Sequence, residues 1–448
     1  MTVILNGCAI ATMDGERHEY ARGHIAIDGN RIVSVGPGIV SATSGTTVIE
    51  AANCLATPGL VNTHHHLYQW LTRGLAPDAT LFEWLTTLYP IWARIDAELV
   101  HLASSAALAR LARSGCTTSS DHHYVFPQNG GDVLGAEITA AREVGLRFHA
   151  TRGSMDLGQS DGGLPPDHIV EDRDDILVAS EAAIDEWHDT SFDAMVRVAL
   201  APCSPFSVTG ELMRESADLA RRKDVRLHTH LAETIDEDDF CQEKFGCSPL
   251  EYVESLGWSG PDVWYAHGIH FDDAAVKRIG AAGTGVAHCP SSNARLGAGI
   301  ARTVELRAAG APVGLGVDGA ASSEASSLLE EARHAVLFAR ARGGPDAMTV
   351  RAALELATLG GAAVLGRSAE IGSLEVGKLA DIALWRMDTP DHAGITDPVA
   401  ALLLGSPPPL KLLLVNGQVV VQDDVVQTVD EEALAARVVG AHRRLVAS

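Results

Sequence analysis

Eight short runs of apolar and β-branched residues recur through the middle of this chain, separated by longer segments rich in Ala, Leu, Arg and Glu. They span residues 56–66, 116–122, 146–152, 196–203, 225–233, 263–267, 283–289 and 312–318. Two parallel strands need a long crossover, which an α-helix supplies, so this alternation implies βαβ units and a parallel sheet. Eight such units are the number that closes a (β/α)₈ barrel.

The two ends have a different texture. Residues 2–5, 23–27 and 31–35, with Asp28-Gly29-Asn30 as a turn, read as a small antiparallel sheet. Residues 381–385, 412–415 and 418–421, with Asn416-Gly417 as a turn, repeat that pattern after a helical stretch over 350–365. The expected fold is therefore an α/β barrel with a small β-sandwich domain built from both chain ends. The division is residues 1–56 for the N-terminal part of the sandwich, 57–369 for the barrel, and 370–448 for the C-terminal part and a terminal helix. A length of 448 residues suits one barrel of about 250 residues or more with an appended domain.

The polar residues of the eight runs gather at their C-terminal ends: His64 and His66, Asp121 and His122, Arg152, His230 and Glu233, His267, His288, and Asp318. Barrel enzymes build their active sites on that face. In Asn62-Thr63-His64-His65-His66 the alternation of strand side chains puts His64 and His66 on one side, where two imidazoles converge on one ion. Alone, such a pair is as readily two polar-core histidines. In Leu227-His228-Thr229-His230, His228 and His230 share a face, so alternation does not say which is the ligand. Asp318, before Gly319, taken singly is a turn residue. Three histidines and an aspartate on three strands of one barrel make a zinc or iron site with a position open to water.

The stretches TPGLVNTHHH, GCTTSSDHH, LHTHLAET, AHGIHF, GTGVAHCPSSN, VGLGVDG and GSLEVGKLADIALW carry a resemblance that covers nearly the whole chain. The chain resembles the amidohydrolase superfamily, in its mononuclear aminohydrolase branch of guanine, 8-oxoguanine and s-triazine hydrolases. The resemblance implies one divalent metal, zinc with iron as the alternative, held by His64, His66, His230 and Asp318. It implies Glu233 and Asp318 as proton shuttles, His267 orienting the nucleophile or stabilising charge, and His228 as a supporting residue. Water activated by the metal would attack an amino-bearing ring carbon while Glu233 protonates the neighbouring ring nitrogen, and ammonia would leave.

At finer grain, RGSMDLGQSDGGLPPD, APCSPFSV and HLAETIDEDDFCQEKFG are similar to the 8-oxoguanine deaminase branch, which implies urate and ammonia as products. Gln69, His122, Tyr124, Cys203 and Asn293 are the candidate substrate contacts, although each also has a plain role as loop, turn or small packing residue. After Asp318 the chain reads Gly-Ala-Ala-Ser-Ser-Glu, where relatives commonly carry Ala-Ser-Asn-Asp, and this leaves an s-triazine aminohydrolase or a guanine or pterin deaminase as the rival. A barrel that has kept its fold and lost its chemistry is the rival from another class, against which the presence of every expected ligand and Glu233 counts.

Composition excludes further classes. A net charge of −24 argues against phosphate-backbone contacts, and the H-x-E and P-C-x-x-C signature of polynucleotide deaminases is absent. Seven scattered cysteines form no disulfide framework. The chain has neither a signal-like N-terminus nor about 20 consecutive apolar residues, so a soluble cytoplasmic enzyme acting on a small heterocycle, with no nucleic-acid or membrane partner and homo-oligomeric by default, is expected. The acidic clusters at 171–175 and 236–239 read as solvated faces, and Trp84, Trp92 and Trp187 as packing residues, with lining of the pocket the other role open to Trp84.

Overall fold

The computed structural model describes residues 2–42 and 44–447. Eight parallel strands close a barrel: β1 (Leu60–Asn62), β2 (Cys116–Ser120), β3 (Arg147–Ser154), β4 (Val196–Pro202), β5 (Arg226–Leu231), β6 (Val263–His267), β7 (Gly285–His288) and β8 (Val313–Leu315). Each strand pairs with its successor, and β8 closes on β1 through Leu315 opposite Asn62.

The connecting helices are bounded by ordinary chemistry. The helix Ala97–Arg113 starts where the Asp96 carboxylate accepts the free N–H of Leu99, and it carries Arg110 and Arg113 in its last turn, against the negative end of the helix dipole. Asp132 caps Val133–Val144 in the same way, and Gly145 ends that helix in the left-handed conformation.

The run expected as one strand over 56–66 is three. Cys54–Pro58 pairs antiparallel with Ile382–Arg386 outside the barrel, Leu60–Asn62 is β1, and His65–His66 pairs with Asp318–Gly319. The first break falls at Gly59, where a Cβ would stand 2.1 Å from the Thr117 side chain. A continuous apolar run hides this change of sheet, because every residue from Cys54 to His66 is buried in one core or another.

The chain ends do meet. Thr2–Ala11, Glu19–Asp28, Arg31–Pro37, Thr47–Glu50 and Cys54–Pro58 join Ile382–Arg386, Leu410–Val415, Gln418–Gln422 and Val425–Val426 in one nine-stranded mixed sheet. Ile32 and Leu412, from strands far apart in that sheet, share a single small core with Leu5, Ile25, Ile382 and Leu414, so the sheet curls around its own interior. The terminal helix Glu431–Val446 packs instead on the barrel, against Ala97–Arg113.

A buried ion pair ties barrel to sheet. Arg147 at the start of β3 donates through Nε and Nη2 to the Asp381 carboxylate at 3.2 and 3.1 Å, and through Nη1 to the Ala194 carbonyl at 2.6 Å. Both side chains are almost wholly excluded from solvent. The seven cysteines are all unpaired. Among the described residues no helix is long and apolar enough to cross a membrane.

Candidate active site

The C-terminal ends of β1, β5, β6 and β8 bring His64, His66, His230, His267 and Asp318 together. The short pairing of His65–His66 with Asp318–Gly319 carries the two ends of the barrel sheet past their last barrel residues and sets them side by side. Asp318 Oδ1 then lies 3.2 Å from His64 Nε2 and 3.2 Å from His66 Nε2, while His66 Nε2 and His230 Nε2 are 3.1 Å apart.

The far side of each ring decides what these atoms are. A carbonyl oxygen only accepts, so His66 donates its Nδ1 proton to the His122 carbonyl and His230 donates its own to the Cys203 carbonyl, at 2.7 and 2.8 Å. His228 likewise donates from Nδ1 to the Trp264 carbonyl, at 2.9 Å. Its Nε2 is therefore an acceptor, and it takes the Nδ1 proton of His64 at 2.8 Å. In the neutral rings, the Nε2 atoms of His64, His66 and His230 all carry lone pairs, those of His64 and His66 turned toward Asp318 Oδ1 and that of His230 toward His66. Two lone pairs 3.1 Å apart do not bond to each other, and a cation between them removes the conflict. Three imidazoles in this tautomer and one carboxylate are a donor set that fits a divalent metal ion. The same geometry separates the two histidines that alternation left open, since His228 spends its Nε2 on His64 whereas His230 turns its Nε2 inward.

Asp318 is itself held. Ser292 Oγ donates to its Oδ2 at 2.5 Å, Ser322 Oγ reaches the same oxygen at 3.3 Å, and the Gly319 N–H donates to Oδ1 at 2.7 Å. His267 donates from Nδ1 to Asn293 Oδ1 at 2.9 Å, which leaves its Nε2 facing Glu233 Oε2 at 3.6 Å. Burial, with the Asp318 charge adding to it, pushes the Glu233 carboxyl well above the usual carboxylate range, which favours its protonated form. Ala232, His267 and Asp318 all have positive φ, at 53°, 70° and 61°. Left-handed backbone at non-glycine residues costs on the order of 1–3 kcal/mol each and clusters at functional sites.

A pocket opens beside this cluster. Gln69, Trp84, Leu85, Tyr89, Tyr124, Cys203, Phe206, Leu296 and Ser322 line it with His66, His230, Glu233, His267 and Asp318. Of the expected substrate contacts, Gln69, Tyr124 and Cys203 face this pocket, and both amide atoms of the buried Gln69 lack a hydrogen-bond partner in the protein. His122 and Asn293 stand behind the wall. His122 stacks on His230 with ring centroids 4.5 Å apart and donates to the Ala201 carbonyl, while Asn293 orients His267.

The strand-end pattern also marked residues that do not reach the site. Arg152 pairs with Glu171 at 2.7 Å and lies over the Phe126 ring, and His288 is buried away from the pocket.

One sequence expectation needs correction. The cluster at 236–239 is not wholly a solvated face: Glu237 is fully buried and accepts the N–H groups of Ala232 and Glu233 at 2.9 and 3.1 Å, which fixes the turn carrying Glu233. Burial pushes its carboxyl up to about 8. Trp84 fills both roles open to it, packing in the core and walling the pocket, and it donates to the Ala321 carbonyl at 3.3 Å. The unusual loop after Asp318 touches the pocket through Ser322 only; Ser323 turns to Glu331 and Glu324 pairs with Arg295.

A barrel with its metal-type cluster and pocket on this face defines a class, and comparison with known proteins agrees. The amidohydrolase family model matches residues 55–420, and the chain belongs to that family. It is similar to the 8-oxoguanine deaminase of Pseudomonas aeruginosa, with 48% identity covering 100% of this chain and 99% of that protein. An isoxanthopterin deaminase from an unknown prokaryotic organism is 37% identical, over 99% of this chain and 96% of its own length. Among solved structures, the zinc complex of atrazine chlorohydrolase from Arthrobacter aurescens TC1 superposes with a TM-score of 0.94 at 32% identity, over 98% of this chain and 100% of that one. The protein is a metal-dependent aminohydrolase with a (β/α)₈ barrel.

Proposed function

We propose that this chain hydrolyses 8-oxoguanine to urate and ammonia, with His64, His66, His230 and Asp318 holding one divalent cation, zinc in the first instance. The observation that carries the substrate is the 48% identity, end to end, with an 8-oxoguanine deaminase. What supports the ligand set is the approach of the His64 and His66 Nε2 lone pairs to Asp318 Oδ1, with the His230 Nε2 lone pair 3.1 Å from that of His66.

A divalent cation bound there supplies the Lewis acidity that makes water nucleophilic near neutral pH. Asp318 takes a proton from the attacking water, with Ser292 holding its other oxygen in place. Glu233, whose protonated form burial favours, gives its proton to the ring nitrogen beside the amino-bearing carbon. The water oxygen bonds to that carbon, the carbon–amino bond breaks, ammonia leaves with the proton Asp318 had taken, and the proton still on the new oxygen is lost as the carbonyl forms, restoring the carboxyl of Glu233. His267, fixed by Asn293 with its Nε2 toward Glu233, orients the attacking water or stabilises the charge that develops on it. The unpartnered amide of Gln69 offers one donor and one acceptor to the edge of a heterocycle, and the walls of Trp84, Leu85, Tyr89, Phe206 and Leu296 suit a flat ring.

The test is ammonia release by metal-replete protein from 8-oxoguanine, guanine, isoxanthopterin and an amino-substituted s-triazine. The highest kcat/KM is expected on 8-oxoguanine, with urate as its product. A higher value on the pterin or triazine contradicts the substrate and retains the chemistry, whereas inactivity on all four contradicts both.

A further inference from the structure

The opposite mouth of the barrel holds a second cavity, of about 270 Å³, lined among others by His149, His188, Arg197, Arg226, Asp224 and Asp262. His149, the third residue of β3, is 1% exposed, and neither of its ring nitrogens has a hydrogen-bond partner in the protein. A buried polar group left unpaired costs on the order of 1–3 kcal/mol, so two on one ring mark a place where something else bonds.

The surroundings say what. Arg226 donates from Nη2 to the Pro261 and Val364 carbonyls at 2.7 and 2.8 Å and, among the described residues, has no carboxylate within ion-pair distance and no partner for its Nε. Arg197 gives Nη2 to Glu370 at 2.7 Å, and its Nε is also unpartnered. Arg367, beside the cavity-lining Gly366, donates to the same Glu370 and has a free Nη1. Of the facing carboxylates, Asp262 is bonded to Arg221 at 3.0 Å and Asp224 sits at the exposed rim. His188 is occupied by the backbone of Val198. Burial pulls the Arg226 guanidinium down to about 10, with Asp262 offsetting only part of the effect. The cavity thus presents spare donors on a cationic wall.

We propose that this cavity is a binding site for a small oxyanion, a phosphate or carboxylate group, held by Arg226, Arg197 and His149. It is separate from the histidine cluster at the other end of the barrel, and it does not depend on the substrate assigned there. Charge-assisted bonds from guanidinium to an oxyanion are among the strongest a protein makes, and the spare Nε atoms have that chemistry to offer.

Sulfate and acetate, each titrated calorimetrically into the metal-replete protein at constant ionic strength set with chloride, test the proposal. Saturable binding of one of them is expected, with Arg226→Met and His149→Leu each weakening it by at least about tenfold. Tighter sulfate assigns the phosphate class and tighter acetate the carboxylate class. Selenate soaked into crystals of the unaltered protein reads the site without any variant, and an anomalous peak between Arg197 and Arg226 is expected if sulfate is the tighter ligand. The absence of binding by both anions, or binding that Arg226→Met leaves unchanged, overturns the proposal.

Discussion

The two mouths of one barrel are built from opposite chemistry. At the C-terminal mouth, backbone carbonyls and His228 take up the Nδ1 protons of His64, His66 and His230, so what remains to face inward is a set of lone pairs with the carboxylates of Asp318 and Glu233. At the N-terminal mouth, Arg147, Arg197, Arg226 and Arg367 gather at strand starts and below them, partly answered by Asp381, Glu370 and backbone carbonyls. The first arrangement wants a cation and the second offers itself to anions. Which mouth does chemistry therefore follows from which atoms are left unsatisfied, since each mouth holds buried histidines whose ring nitrogens alone would not separate the two.

The largest effect should come from the proton donor. Replacing Glu233 by Gln is expected to lower kcat by about 10²–10⁴-fold with the fold intact by circular dichroism and the metal content unchanged. Retained turnover would move the proton donor elsewhere. At the other mouth the expected loss is of stability: Asp381→Ala leaves Arg147 buried without its partner and should cost about 3–5 kcal/mol in chemical denaturation. Activity per folded molecule should be unaffected, and a variant as stable as the parent would mean the barrel and the end sheet are joined by other contacts.

A pH profile sharpens the same contrast. With Glu233 as the proton donor and its pKa raised by burial, kcat/KM should fall as pH rises through the raised value, about tenfold per unit beyond it. A profile flat to the limit of stability would remove Glu233 from the protonation step. The smallest expected effect is at the pocket wall: a Cβ at Gly319 would stand 1.8 Å from Gln69 Oε1, the end of a flexible side chain. Gly319→Ala should displace that amide and raise KM by roughly several-fold to tenfold while kcat changes less, the pattern of lost ground-state binding. An unchanged KM would take Gln69 out of substrate recognition.

How far the sequence reached depended on the kind of signal. Strand ends carrying His64, His66, His230, Glu233, His267 and Asp318 were legible because a parallel barrel forces its functional residues to one face, and alternation gives the direction of each side chain. Alternation has a period of two, so it was blind to the difference between His228 and His230, which rests on where each Nδ1 proton goes. The helix Leu81–Trp92 has the apolar spacing of any packed helix, and a residue that walls a pocket looks the same in sequence as one that fills a core, as Trp84 and Tyr89 show. Glu237 was hidden among acidic neighbours that are solvated. Arg147 and Asp381 lie 234 residues apart, and nothing local to either marks the other as its partner.

The most direct test of the C-terminal mouth is a metal titration. Protein stripped of metal by a chelator is titrated with zinc, and ammonia release from 8-oxoguanine is recorded at each addition. The account predicts no turnover without metal, a rise in proportion to zinc added, and a plateau at one ion per chain. Turnover by the stripped protein, or a plateau that requires a second ion, would contradict it.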